Sequence, residues 1–226
     1  MDIELFYEEM GSGEPLILLH GNGEDHTIFD NVAKHFAKQY HVIAIDTRGH
    51  GKSPLGDEPF SLYQFAEDLN DFMDEHNIEK AKILGFSDGG NVALIFASKY
   101  PEKVIKLIAN GANTRPSGIK TIVHLAMLFR YFLYSVGAIF SEKFSYKKAL
   151  YYIMLYEPHI TKEELEQITA PTLVLVGTED LIKESESKYI KKSIPNSEIV
   201  FVLGDHFIVK NNTKDYIFAV EKFLNK

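Results

Sequence analysis

Two stretches near opposite ends of this 226-residue chain, Leu16–Leu19 and Thr172–Val176, read as unbroken apolar runs. A strand that is apolar at consecutive positions must be covered on both faces, which a half-solvated antiparallel sheet does not offer. Further short runs fit the same reading: Ile3–Glu8, Val42–Ile45, Lys82–Phe86, Lys106–Ala109 and Glu198–Val202. Between them, Ile28–Gln39, Leu62–His76, Gly89–Lys99, Ser185–Lys192 and Lys214–Leu224 carry apolar residues at helical spacing. Strands alternating with amphipathic helices predict an α/β protein with a mostly parallel sheet. A hydrophobic content of 45% is enough for one sizeable core.

One segment departs from the alternation. From Thr114 to His159 no strand is predicted, and the chain reads "IVHLAMLFRYFLYSVGAIF" and then "YKKALYYIMLY". The first half is long enough to suggest a membrane span, but His124 and Arg130 interrupt it and βα pattern resumes on both sides. A helical cap inserted at 114–159 into a core of 1–113 and 160–226 is the better reading. Thr161 and Glu164 then form a capping box for a short helix before "APTLVLVG".

Composition removes several functions. With no cysteine, disulfides and thiolate metal sites are excluded. The net charge of −8 argues against nucleic-acid binding. The opening "MDIELFYEEMG" lacks the pattern of a secretory leader, so a cytoplasmic protein without stable membrane insertion is expected. The nine histidines lack H-E-x-x-H or similar spacing, and "DTRGHGKS" has Asp46 where a phosphate-binding loop needs glycine. No cofactor or metal is expected.

Chemistry concentrates at "ILGFSDGGNVAL", where Gly85, Ser87, Gly89 and Gly90 fall between a strand and a helix. A serine hydroxyl is a weak nucleophile unless a base takes its proton. A sharp strand-to-helix turn would lift Ser87 above the carboxyl edge of the sheet with helix N–H groups behind it. Asp180, after "PTLVLVGTE", and His206, after "IVFVLGD", follow strands at the same edge, in the chain order Ser, Asp, His. His206 is therefore the expected base and Asp180 its orienting acid, with adjacent Glu179 and Asp205 less well placed. The amides of Asn22 and Asp88 are the expected oxyanion donors. His20, Arg48 and His50 are read as loop-stabilising.

The motifs "LLHG" at His20-Gly21, "IDTRGHGKS", "GFSDGG" and "APTLVLVGTEDLI", with His206, together resemble the α/β-hydrolase fold superfamily in its serine-nucleophile branch. "GFSDGG" is similar to that of valacyclovirase-like hydrolases. The resemblance implies a Ser87-Asp180-His206 triad and a cap after the Lys106–Ala109 strand. One strand before "PLILLHG" implies a sheet of about seven strands. A small carboxylic ester is the expected substrate. Carbon–carbon hydrolysis, lyase chemistry, acyl transfer and perhydrolysis are same-fold alternatives, and a non-catalytic ligand-binding role is a further one. Phe129, Phe132 and Tyr134 are candidate substrate contacts. Asp88 either complements its helix or holds an amine on the substrate.

Overall fold

Ile17 and Leu19 point to one side of the central sheet and Leu16 and Leu18 to the other, all essentially inaccessible. The same alternation runs through every central strand, so each face carries its own apolar cluster. The computed structural model describes residues 2–226. Its strands are β1 (Tyr7–Met10), β2 (Pro15–Leu19), β3 (His41–Ile45), β4 (Ala81–Phe86), β5 (Val104–Asn110), β6 (Thr172–Gly177) and β7 (Ser197–Val202). They form one seven-stranded sheet in the order β1-β3-β2-β4-β5-β6-β7. Only β1 is antiparallel to its neighbour.

Helices α1 (Asp30–Phe36), α8 (Ile208–Asn211) and α9 (Thr213–Leu224) cover one face. The other face is covered by α2 (Leu62–Glu75), α3 (Asp88–Lys99), α6 (Lys162–Glu166) and α7 (Glu184–Ser193). Between β5 and α6 the chain forms α4 (Thr121–Gly137) and α5 (Glu142–Tyr156), which pack against each other. Helix α4 fully buries none of its residues, and α5 buries Ile153 and Leu155. The expected capping box opens α6: Thr161 Oγ1 accepts from the Glu164 amide at 3.2 Å, and Glu164 accepts from the Thr161 amide at 2.6 Å. Among the described residues, no helix is long and apolar enough to cross a membrane.

Two elements differ most from the sequence expectation. The first strand begins at Tyr7 rather than Ile3, because the residues before it serve the loop after β3. There the Phe6 amide donates to Ser53 Oγ at 2.8 Å and its carbonyl accepts from the Asp46 amide at 2.9 Å. The helix expected over Ile28–Gln39 is α-helical only from Asp30 to Phe36. It follows a 3₁₀ turn, His26–Phe29, which Asp25 caps by accepting from the Thr27 amide.

The "IDTRGHGKS" loop has a structural role. Arg48 is fully buried and donates to both oxygens of Asp68 at 2.7 Å, to the Leu55 carbonyl at 3.0 Å and to Asp2. Asp68 raises the affinity of that guanidinium for its proton. Breaking a buried, hydrogen-bonded ion pair strands the remaining charge, at a cost of about 3–5 kcal/mol. Arg48→Met is expected to lower unfolding stability by that amount in urea titrations, and Arg48→Met/Asp68→Leu to recover part of it. Equal losses in the single and double variants would mean that packing, not the stranded Asp68, sets the cost.

Candidate active site

Close approach of strand and helix explains the glycines around Ser87. A Cβ at Gly85 would collide with the Gly89 carbonyl, and one at Gly89 with the carbonyls of Leu19 and His20. Small residues therefore let β4, α3 and the end of β2 meet. Ser87 itself has φ 55° and ψ −120°, a conformation that costs on the order of 1–3 kcal/mol for a residue with a side chain. Its amide donates to the Asn110 carbonyl at 2.8 Å, and its carbonyl accepts from the Asn91 amide at 3.0 Å, closing the first turn of α3.

His206 lies in the loop after β7 and Asp180 in the loop after β6, at the same sheet edge as Ser87. The Ser87 hydroxyl lies 2.9 Å from His206 Nε2, and His206 Nδ1 lies 2.7 Å from Asp180 Oδ1. With the proton on Nδ1, the imidazole donates to Asp180 and accepts from Ser87. Burial pushes the Asp180 carboxyl up. The hydrogen bond and charge of His206, with the amides of Ile182 and Gly177, outweigh that and hold it below the usual carboxylate value. Glu179 is exposed, and Asp205 accepts from the Phe207 amide and Asn211. Asp180 is the carboxylate bonded to His206 Nδ1.

Asn22 and Asp88 meet beside Ser87, in the lining of the same cavity. Asn22 Nδ2 donates to Asp88 Oδ2 at 2.8 Å and to the Leu150 carbonyl at 3.1 Å, while Asn91 Nδ2 donates to Asp88 Oδ1 at 3.3 Å. Asp88 opens α3, so its amide has no acceptor within the helix. The Asp88 carboxylate sits in the first helical turn and also ties the loop after β2 to α3. Burial raises its pKa, opposed by the donors from Asn22 and Asn91. His20 plays a supporting part. Its Nδ1 donates to the Gly21 carbonyl at 2.7 Å and its Nε2 accepts from the Thr47 amide at 3.0 Å.

The cavity beside Ser87 has a volume of about 120 Å³. Its outer wall includes Met127 of α4, Met154 of α5, Ile119 and Leu181. The aromatic contacts expected from the sequence are not part of that wall. Phe129 and Phe132 are 63% and 61% exposed on the outer side of α4, and Tyr134 packs against Phe144 and Tyr151. Helical spacing explains the correction: the turn of α4 that brings Met127 to the cavity sends Phe129 and Phe132 away from it. Among the described residues, no group of three or more His, Asp or Glu side chains is placed to hold a metal ion.

Three carboxylates border the cavity: Asp88, Glu157 and Glu24. Burial raises Glu157, and neighbouring Asp88 adds to the shift. Glu24 accepts from the Gly21 amide at 3.3 Å, yet burial pushes it up to about 7. Nothing in the residues around Glu24, Met127 or Met154 marks them in the sequence, because burial and the facing of α4 and α5 bring them to the cavity. From about pH 4.5 to 7 the unfolded chain has released this proton while the folded chain still holds it. Stability should therefore fall across that window and level off above it. Discounted for partial exposure, the loss is about 1–2 kcal/mol. Glu24→Gln should remove it, so its stability gain over wild type will be larger near pH 8 than near pH 5 in urea unfolding. An equal difference at both pH values would exclude titration of Glu24 in this range.

The arrangement has relatives. Residues 14–144 match the model of the family described as the alpha/beta hydrolase fold. The chain is 34% identical over 118 residues to an uncharacterized protein of Mycobacterium tuberculosis, covering 52% of this chain and 35% of that one. It is 38% identical over 119 residues to the human serine hydrolase BPHL, covering 49% and 40%. The chain thus spans less than half the length of these relatives. Bacillus subtilis YisY, an AB hydrolase superfamily protein, is 29% identical over 232 residues, covering 88% and 86%. Among solved structures, an esterase from Exiguobacterium antarcticum superposes with a TM-score of 0.83 at 19% identity, covering 99% of this chain and 96% of its own. A family match over more than half the chain and a shared fold lead to one assignment: the chain belongs to the α/β-hydrolase fold family.

Proposed function

We propose that this protein is a cofactor-independent serine hydrolase that cleaves small carboxylic esters through an acyl-enzyme on Ser87. The observation that carries the proposal is the Asp180–His206–Ser87 hydrogen-bonded chain, with links of 2.7 and 2.9 Å. In this reading His206 Nε2 takes the Ser87 proton as Oγ attacks the ester carbonyl. The amides of Asn22 and Asp88 hold the developing oxyanion. Collapse of the tetrahedral intermediate expels the alcohol, which receives the proton from His206. A water activated by the same imidazole then releases the acid and restores Ser87.

Residues 114–159 act as a cap in this proposal, with Met127 and Met154 shaping the acyl or alcohol side of the cavity. Methionine suits a wall that must adapt to an apolar group. Glu24, Asp88 and Glu157 line the cavity, and no Lys or Arg is among the described residues of that lining, which favours neutral or amine-bearing esters over anionic ones.

Intact-protein mass spectrometry after treatment with a fluorophosphonate tests the proposal. A single adduct is expected on wild type, none on Ser87→Ala, and much slower labelling of His206→Ala. An unlabelled, folded wild type with no turnover of neutral p-nitrophenyl esters would overturn it.

A further inference from the structure

Helix α4 turns an apolar stripe outward as well as packing apolar side chains inward. Its Ile122, Leu125, Phe129, Phe132, Leu133 and Val136 repeat at three- and four-residue spacing, which places them on one stripe. That stripe faces solvent, with exposures from 46% for Val136 to 75% for Ile122. It continues into the turn before α5, where Phe140 is 82% exposed. Other exposed apolar side chains, such as Phe218 and Leu203, lie away from this stripe in sequence and are ordinary on a soluble protein. A contiguous apolar ridge is not ordinary and marks an interaction surface.

Charge identifies the partner. Residues 114–159 hold six Lys and Arg against two Glu, whereas the rest of the chain holds 18 against 30. Arg130 lies at the edge of the stripe, donating to the Tyr151 hydroxyl at 3.0 Å. Lys147 lies over the Tyr134 ring, 5.4 Å from its centre. A basic segment on an acidic protein is complementary to an anionic surface, and two copies pairing through this ridge would oppose like charges. The 17 residues of α4 extend about 26 Å, short of a bilayer core, and Arg130 lies mid-helix. We infer that α4 docks reversibly in the plane of an anionic phospholipid surface, with its apolar stripe in the headgroup–acyl boundary and its cations against the phosphates. Met127, on the inner side of the same helix, then orients the Ser87 cavity relative to the bilayer.

The chain contains no tryptophan, so Phe129→Trp supplies a single reporter without removing apolar surface. Vesicles of phosphatidylcholine with about one third phosphatidylglycerol should shift its emission to the blue and allow quenching by brominated acyl chains. Pure phosphatidylcholine, or ionic strength raised to about 0.5 M, should weaken binding at least tenfold. In vesicle flotation, Phe129→Ser/Phe132→Ser should lower partitioning by about tenfold or more, and Arg130→Glu/Lys147→Glu should do so for anionic vesicles. Thermal melts establish that each variant is folded. Unchanged Phe129→Trp emission with anionic vesicles would overturn the inference. So would a wild-type dimer that fails to float and that Phe129→Ser/Phe132→Ser converts to monomer, since the stripe would then be a protein interface.

Discussion

Ser87→Ala and His206→Ala are each expected to lower turnover of a model ester by about 10⁵- to 10⁶-fold, and the double variant no further. The non-additivity follows from the single contact that joins them, 2.9 Å between the Ser87 hydroxyl and His206 Nε2. Without the hydroxyl the imidazole has no proton to accept, and without the imidazole the hydroxyl stays protonated and unreactive. Either loss removes the same step. Residual catalysis should come from the amides of Asn22 and Asp88, which neither substitution touches, and should leave about 10³-fold over water. Single-turnover measurements on a p-nitrophenyl ester would check both parts. Additive losses would mean that the two side chains act in separate steps.

Asp180→Asn is expected to cost about 10³- to 10⁴-fold in kcat while leaving KM nearly unchanged. The reason lies in the donors around the carboxylate. Oδ1 accepts from both His206 Nδ1 and the Ile182 amide, and Oδ2 lies 3.4 Å from the Gly177 amide. Only a group with acceptors at both ends satisfies this set. An asparagine must turn its NH₂ towards Gly177, or towards both Ile182 and His206. The second choice favours a proton on His206 Nε2, where it cannot accept from Ser87. The first keeps the tautomer but supplies no charge to stabilise the imidazolium. The kcat loss with unchanged KM separates this role from a substrate contact, which would move KM.

Much of this site was legible because its chemistry depends on local backbone. The turn at Ser87 needs small residues at Gly85 and Gly89, and parallel strands bring their carboxyl ends to one edge, so Ser87, Asp180 and His206 could be grouped from one chain. What was not legible depended on orientation. The apolar stretch 122–140 gives the same helical signal whichever side faces the core. From sequence alone Phe129 and Phe132 are therefore as good candidates for the cavity as Met127, which lines it. The strand expected at Ile3 lost to tertiary demand, because Asp2 and Phe6 bind the Arg48 loop instead of extending β1. Glu24 does not stand out in the sequence, because its perturbation comes from burial, which the residues around it do not announce.

The excursion between β5 and β6 has a consequence for how such a chain can diversify. β5 and β6 pair directly, Leu107 with Thr172 through Asn110 with Leu175, although some 60 residues separate them. The detour leaves from the carboxyl end of β5 and returns at the amino end of β6, so it spans the two ends of one parallel ladder and lies outside its rungs. Its length and composition can change without shifting the rungs that carry Ser87, Asp180 and His206. In the proposed hydrolase, the reacting side chains and the Met127–Met154 part of the cavity wall are consequently encoded in separable parts of the polypeptide, and the second can drift, or be exchanged, while the first stay in register.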